Sequence, residues 1–269
     1  MSVIAITNQK GGVGKTTTAI NIADALRHTN CDVLFIDMDP QCNATSTYGA
    51  AIEGVNTIVD VLKKDCKAEE AIQTTPLGDI IAGDTLLAQE EPAFNSRTAR
   101  ENLLKNAIKT VVKNYDYVII DPPPNLGIYM INALTAADGC VIPIKAEQYA
   151  IDGLKRLIDT INDVIENVNP DLAVYGVLLT AYDARNSLDR EILEELPTAG
   201  KTLGFNVFEH PIRINQAIKK IQSLKNGETE DGEVVIANRS LYDNYASCNA
   251  AHDYVAVVKE IMKEIKKNG

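Results

Sequence analysis

A chain of 269 residues with 45% hydrophobic content can bury a sizeable core, which excludes the disordered and fibrous classes. Its 26 Lys and Arg against 37 Asp and Glu leave a formal charge of −11, so no partner is held by overall positive charge, and any contact with nucleic acid must come from a local patch. The five cysteines are widely spaced, with no C-x-x-C pair and no histidine at metal-ligand spacing, as expected of a reduced cytoplasmic setting. No basic leader opens the chain, and no apolar run nears the roughly 20 residues that span a bilayer. The expectation is a soluble, cytoplasmic protein.

Short β-branched runs alternate with stretches of helical period. Val3–Thr7 reads as a strand followed by a helix over Thr16–Arg27, and Asp32–Ile36 as the next strand. Val118–Ile120 precedes a helix over Ile128–Ala137, Cys140–Pro143 one over Gln148–Val168, and Leu172–Leu179 one over Leu188–Leu203. Runs such as Val-Leu-Phe-Ile and Tyr-Val-Ile-Ile are apolar on both strand faces, which suits a parallel sheet covered on each side. The fold class is therefore α/β, a doubly wound, mostly parallel sheet flanked by helices. No linker-like stretch, repeat or low-complexity tract breaks it, so residues 1–269 are expected to form one domain. Lys225–Asn238 reads as an exposed acidic loop or hairpin, and Tyr242–Lys267 as a closing helix.

After the first strand, Asn8-Gln9-Lys10-Gly11-Gly12-Val13-Gly14-Lys15-Thr16-Thr17-Thr18 runs straight into the first helix. Glycines let backbone N–H groups converge on phosphates, and the helix dipole favours their charge. Lys15 is placed to reach the β- and γ-phosphates of a nucleotide and Thr16 to ligate Mg²⁺, while Lys10, Gly11, Gly12, Val13, Gly14 and Thr17 complete the cradle. Position 9 holds Gln where the standard loop has Gly, and a second lysine, Lys10, precedes the glycine pair.

Three carboxylates follow at strand ends. Asp37 and Asp39 close the second strand at the edge where open α/β sheets bind ligands, and their alternation turns them to different neighbours: one to Mg²⁺-bound water, the other to an attacking water. Asp121 ends Tyr117-Val118-Ile119-Ile120, the shape of a Walker B strand. Phosphoryl transfer needs mostly positioning and charge neutralisation, and no Ser-His-Asp or Cys-His set is visible.

The Lys-Gly-Gly-x-Gly-Lys-Thr form resembles the deviant Walker A motif of the ParA/MinD family of P-loop ATPases, and Asp37-Met38-Asp39-Pro40-Gln41 is similar to its ParA/Soj branch. The resemblance extends from Val3 to Asp183, about two thirds of the chain, through Leu126-Gly127, Ile131-Asn132-Ala133-Leu134, Pro143, Glu147-Gln148-Tyr149 and Gly153-Leu154. Pro124 and Asn125 depart from the pattern, and within His210–Ala217 only Arg213 and Ala217 match. The resemblance implies a slow Mg²⁺-dependent ATPase in which ATP builds a nucleotide-sandwich homodimer. In that dimer Lys10 reaches across to the partner's phosphates. The implied catalytic set is Lys10, Lys15 and Asp39, with Asp39 positioning the hydrolytic water. Thr16, Asp37 and Asp121 form the metal set, Asp37 in the outer shell and Asp121 on a metal-bound water, and the segment at Pro211 frames the adenine. The absence of an Asn-Lys-x-Asp motif also fits ATP over GTP.

Between Lys201 and Lys225 stand five Lys and Arg against Glu209 alone. The resemblance implies that the ATP-bound dimer binds DNA without sequence preference and sits on the nucleoid. A ParB-like centromere-binding protein would then stimulate hydrolysis and release. Arg213, Lys219 and Lys220 are the candidate DNA contacts, a solvated helix face being the other reading. The first strand begins by Val3, so no N-terminal helix-turn-helix extension is expected. The alternative, a MinD-like membrane-cycling ATPase, requires an amphipathic C-terminal helix. The stripe Val255, Val257, Val258, Ile261, Met262 and Ile265 lacks Phe, Trp and Leu and suits a core-packed helix, so no stable membrane association is expected. A reductase bridging an iron–sulfur cluster between subunits needs two placed cysteines, and Cys140 has no companion.

Overall fold

The computed structural model describes residues 1–228 and 234–268. In chain order the elements are β1 (Ser2–Ile6), α1 (Lys15–Arg27), β2 (Val33–Asp37), α2 (Asn43–Tyr48), α3 (Ile58–Lys63), β3 (Ile72–Thr75), β4 (Gly78–Ile81), α4 (Leu87–Asn95) and α5 (Leu103–Ile108). There follow β5 (Tyr117–Asp121), α6 (Ile128–Ala136), β6 (Gly139–Lys145), α7 (Ala150–Asn167), β7 (Ala173–Thr180), α8 (Ser187–Leu203), α9 (Gln216–Gln222), β8 (Gly227–Glu228), β9 (Val234–Val235), α10 (Leu241–Tyr245) and α11 (Asn249–Asn268).

Seven strands form one sheet in the order β3-β4-β2-β5-β1-β6-β7, all parallel except β3, which pairs antiparallel with β4. Because successive side chains alternate across a strand, each apolar run feeds two cores. Val3, Ala5, Leu34, Ile36, Val118, Ile120, Ile142 and Ile144 meet α6 and α7 on one face. Ile4, Ile6, Phe35, Ile119 and Val141 meet α1 and α11 on the other. Each fully buried Ile or Leu adds about 1.5–3 kcal/mol, so both layers are needed to hold a sheet this wide. The doubly wound expectation is met.

The crossover β1-α1-β2 passes over β5, which lies between β1 and β2. The chain therefore leaves β1 on one side of a crevice and β6 and β7 on the other, and the loops at the strand C-terminal ends gather there. β2 and β5 run in register from Val33 opposite Tyr117 to Asp37 opposite Asp121, so their terminal aspartates are direct neighbours.

Several sequence expectations are corrected. Helix α1 begins at Lys15, one residue early, because Gly14 supplies its left-handed cap. Strand β2 stops at Asp37, so Asp39 lies in the turn beyond it and strand alternation does not set its direction. The closing helical stretch is two helices, α10 and α11, separated at residues 246–248. The β3–β4 edge and helices α2 to α5 had no clear periodic signal: they are short, and β3 is only half-buried. Of the acidic hairpin expected over Lys225–Asn238, β8 and β9 pair antiparallel, while residues 229–233 lie outside the described residues.

Asn132 shows how polar groups fix the helical layer. It is buried on α6, accepts the Leu104 N–H at 2.9 Å, and donates to the carbonyls of Arg100 and Ile128 at 2.8 and 2.9 Å. Asn132→Leu leaves the Leu104 N–H and the Arg100 carbonyl without that partner in an apolar layer. We expect a loss of about 2–4 kcal/mol, read as a lower urea midpoint at unchanged slope.

Candidate functional site

The loop after β1 turns on two left-handed glycines, Gly12 with φ +76° and Gly14 with φ +85°. A side chain at either would be strained, which is the physical reason glycine stands there. Gly14 caps α1 without a side-chain hydrogen bond, and the first turn of α1 carries no acid. The N–H groups of that turn and the positive end of the helix thus face the crevice, a geometry that binds anions.

Neighbouring strands hold the loop. The Thr180 hydroxyl at the end of β7 sits 2.7 Å from the Val13 carbonyl and 3.0 Å from that of Ile144. The Asn8 amide donates to the Pro143 carbonyl at 2.7 Å, and its Oδ1 accepts the Lys10 N–H at 2.9 Å. Gln9 donates to the Gly153 carbonyl at 2.9 Å. Gln9 therefore anchors the loop to α7 in the place where a glycine would leave it free.

The structure brings Lys15, Thr16, Asp37, Asp39 and Asp121 together. Lys15 is buried, and its Nζ lies 2.5 Å from Oδ1 of the fully buried Asp121. The other oxygen, Oδ2, has no hydrogen-bond partner among the described residues. Burial raises the Asp121 pKa from its ordinary value, against the pull of Lys15 and of the adjacent Thr16 hydroxyl, and Asp39 adds to the rise. Asp37 is pushed up to about 7, first by burial and then by the Asp121 charge. Its Oδ2 accepts from the Thr45 N–H at 2.9 Å and hydroxyl at 2.7 Å, and its Oδ1 from the Asp39 N–H at 3.1 Å. Asp39 in turn accepts the Gln41 N–H at 2.9 Å. Of the two buried carboxylates side by side, Asp121 alone meets the buried ammonium, and it keeps an oxygen free. That donor set has room for a further hard cation with oxygen ligands, and Thr16 stands beside it.

A cleft of about 250 Å³ opens next to the loop, lined by Gly14, Thr17, Thr180, Ile212, Ile218 and Tyr254 among others. Arg213, Ile214, Asn215 and Lys219 also border it, whereas Pro211, expected there from the sequence, does not line it. The expected site thus shifts one to four residues along the chain. The peptide runs beside β7, with the Ile212 N–H donating to the Leu179 carbonyl at 2.8 Å and the Tyr182 N–H to the Ile212 carbonyl at 2.9 Å. These bonds carry the residues after Pro211 past the loop.

Lys10 lies at the exposed tip of the loop and pairs with Glu147. The three candidate DNA contacts have different surroundings. Arg213 forks onto Asp253 of α11, with its Nε 3.0 Å from Oδ2 and its Nη2 2.5 Å from Oδ1. Lys219 borders the cleft, and Lys220 is exposed on α9. The α11 stripe faces inward: Val257, Val258 and Ile261 are buried against α1 and the sheet, and Val255, Met262 and Ile265 pack at their edge. No helix among the described residues is long and apolar enough to cross a membrane.

Thr180, Tyr254, Lys145 and Gln222 were not legible as site residues. Gln222 of α9 donates to the Thr17 hydroxyl at 3.2 Å, across more than two hundred residues of chain. Only Thr180 and Lys145 carried a usable signal, since both end parallel strands at the ligand-binding edge.

Residues 1–174 match the family model described as an AAA domain. The chain is 45% identical over 197 residues to the sporulation initiation inhibitor protein Soj of Bacillus subtilis, covering 72% of this chain and 78% of that protein. It is 36% identical over 264 residues to the chromosome partitioning protein ParA of Myxococcus xanthus, covering 97% and 88%. Among solved structures, a cobyrinic acid a,c-diamide synthase from Mycobacterium smegmatis with bound ADP and magnesium superposes with a TM-score of 0.82 at 29% identity, over 100% of this chain and 97% of that one.

The raised pKa of Asp37 has a measurable sign. The folded chain keeps a proton that the unfolded chain releases, so stability falls as pH rises from 3.8 to about 7 and levels beyond. Asp37→Asn cannot ionise and should lack that slope. Its loss of an acceptor for Thr45 displaces the curve by an amount independent of pH. Urea unfolding of nucleotide-free protein at stepped pH should therefore show the variant gaining on the wild type across that window, and parallel curves would refute the assignment.

Proposed function

The chain belongs to the ParA/Soj family of P-loop ATPases, and we propose that it is a DNA-partition ATPase that binds ATP with Mg²⁺, dimerises on it and holds DNA without sequence preference. The observation behind this reading is the glycine-capped start of α1, which has no side-chain cap, beside a buried Lys15–Asp121 pair and an apolar-walled cleft. This reading assigns each part of a nucleotide a place. The triphosphate meets the α1 N-terminus and Lys15, and the base and sugar meet the cleft between residues 212–215, Ile218 and Tyr254. The relatives named for chromosome partitioning support the cellular role, and the ADP- and magnesium-bound neighbour supports the ligand pair.

Mg²⁺, when bound, neutralises the charge of the β- and γ-phosphates. The residues fit it: Thr16 would ligate it, Asp121 would hold its water through the oxygen that lacks a partner, and Asp37 would act from the outer shell through the turn it organises. Lys15 exchanges its carboxylate partner for phosphate oxygens as nucleotide enters, which leaves Asp121 to the metal-bound water. Asp39, almost fully buried in the turn after β2, orients the hydrolytic water. Lys10 acts in trans, adding positive charge from the second subunit, and a ParB-like centromere-binding protein would speed turnover. The inward-facing α11 stripe supports DNA over a membrane as the surface this ATPase cycles on. One domain over residues 1–269 suffices for every part named here.

Two measurements test this. Asp39→Ala should keep ATP binding and ATP-dependent dimerisation, while turnover falls by about 10²-fold; unchanged turnover would remove Asp39 from the mechanism. DNA binding should require ATP and weaken steeply with salt. Lys219→Ala with Lys220→Ala should lower affinity alike on unrelated sequences and flatten the salt slope by about 1 for each phosphate-binding lysine removed. Binding that ignores both salt and ATP would count against the partition reading.

A further inference from the structure

The cleft beside the phosphate loop holds more positive charge than the proposed function has used. Lys145, Arg213 and Lys219 all line it, and no Asp or Glu is among its lining residues. Two of the three are accounted for: Arg213 forks onto Asp253 of α11, and Lys219 is exposed on α9. Lys145 is different. It is partly buried, and its ammonium makes no ion pair or hydrogen bond among the described residues. The nearest carboxylate along the chain, Glu147, is already taken by Lys10.

The strand places this charge. Ile142 and Ile144 of β6 turn to the core under α6 and α7 and Val141 to the core under α1 and α11, so alternation puts Lys145, the last residue of β6, on the α1 side. Its backbone is fixed opposite Thr180 of β7, whose hydroxyl holds the Val13 and Ile144 carbonyls. Lys145 therefore lines the cleft with Gly14 and Thr17, at the seam between the start of α1 and the apolar wall. Lys15 is drawn the other way, to Asp121 of β5. Since β5 and β6 lie on either side of β1, the two lysines flank the loop.

We propose that Lys145 binds nucleotide at the phosphate next to the ribose, a group common to ATP and ADP, and so governs how long ADP is held. This rests on the reading of the cleft as a nucleotide site. An ammonium has donors only, and when water is withdrawn from it an anion must take the water's place. The cleft supplies no carboxylate, whereas a nucleotide laid from the α1 N-terminus along the apolar wall carries its first phosphate past the seam. Binding that is equal for substrate and product does nothing for the chemical step, but it retains the product. The charges around Asp121 act where the terminal phosphate leaves; Lys145 acts on what remains.

The test uses Lys145→Met and Lys145→Arg in the full chain. By calorimetry, Lys145→Met should bind ADP about 10- to 100-fold more weakly than wild type. A non-hydrolysable ATP analogue, titrated below the protein concentrations that form dimers, should lose affinity by the same factor. Radiolabelled ADP should leave this variant faster into excess unlabelled ADP, because changes within one site fall mainly on dissociation. Lys145→Arg should keep most of the affinity. The nucleotide-free Met variant should unfold at an unchanged urea midpoint, since its ammonium has no partner in the chain to lose. Equal ADP affinity in wild type and Lys145→Met would overturn the proposal and leave the nucleotide reading standing. A loss confined to the ATP analogue would also overturn it, by placing Lys145 at the terminal phosphate. So would an Arg variant as weak as Met, because packing and not charge would then be the cause. If the wild-type chain binds neither nucleotide, the nucleotide reading falls and this assignment falls with it.

Discussion

Two parallel strands ending on aspartate in the same register create the constraint on which this site depends. Asp37 and Asp121 are direct neighbours at the edge of β2 and β5, both wholly buried, and each raises the cost of charge on the other. Repulsion of this kind is relieved by protons or by cations. The cation present is Lys15, brought in by the loop after β1, and its contact with Asp121 leaves Asp37 with only hydrogen bonds from Thr45 and Asp39. Removing either member of the buried pair would strand the other, at a cost of about 3–5 kcal/mol. The same tension suits the metal–nucleotide pair proposed for this site, which would bring one more cation and, in the phosphates, a new partner for the lysine.

The surrounding architecture follows from where that pair must sit. The loop after β1 reaches Asp121 because β1 lies beside β5 in the sheet. The turn after β2 is bent by Asp37 itself, whose oxygens collect the N–H groups of Asp39 and Thr45 and so start α2. Asp39 is aimed by this turn and not by the pleat of a strand. The carboxylate proposed to orient water is thereby positioned by the carboxylate proposed to support the metal.

Helix α9 joins the nucleotide side of the molecule to the surface proposed for DNA. One side of this short helix borders the cleft through Ile218, Lys219 and Gln222, and Gln222 reaches Thr17 at the start of α1. Its other side exposes Lys220. Any shift of the helix on nucleotide binding moves both surfaces together. Arg213 sits differently, anchored to Asp253 on α11, so part of its charge is already balanced within the chain. The net charge of −11 speaks against binding by the molecule as a whole. A local surface, doubled in the proposed dimer, is the arrangement consistent with the weak, salt-sensitive affinity proposed for it.

The periodicity of the apolar runs was enough to read the doubly wound sheet, because strands buried on both faces and helices buried on one leave different repeats in a sequence. The glycine-rich loop and the aspartates at strand ends were legible for a similar reason: their chemistry is local, and each is spelled in consecutive residues. What involves distant parts of the chain had no such trace. Nothing in the sequence places Glu147 against Lys10, Gln222 against Thr17, or Thr180 against Val13, since each pairing is made by strand order and not by spacing. The short elements β3, α2 and α5 were missed because their form is imposed by the packing and caps around them, too few residues being available to show a period. The choice of Ile212 to Asn215 over Pro211 as the cleft wall was likewise made by backbone bonds to β7. Local motifs named the chemistry, and the sheet topology selected which distant side chains would surround it.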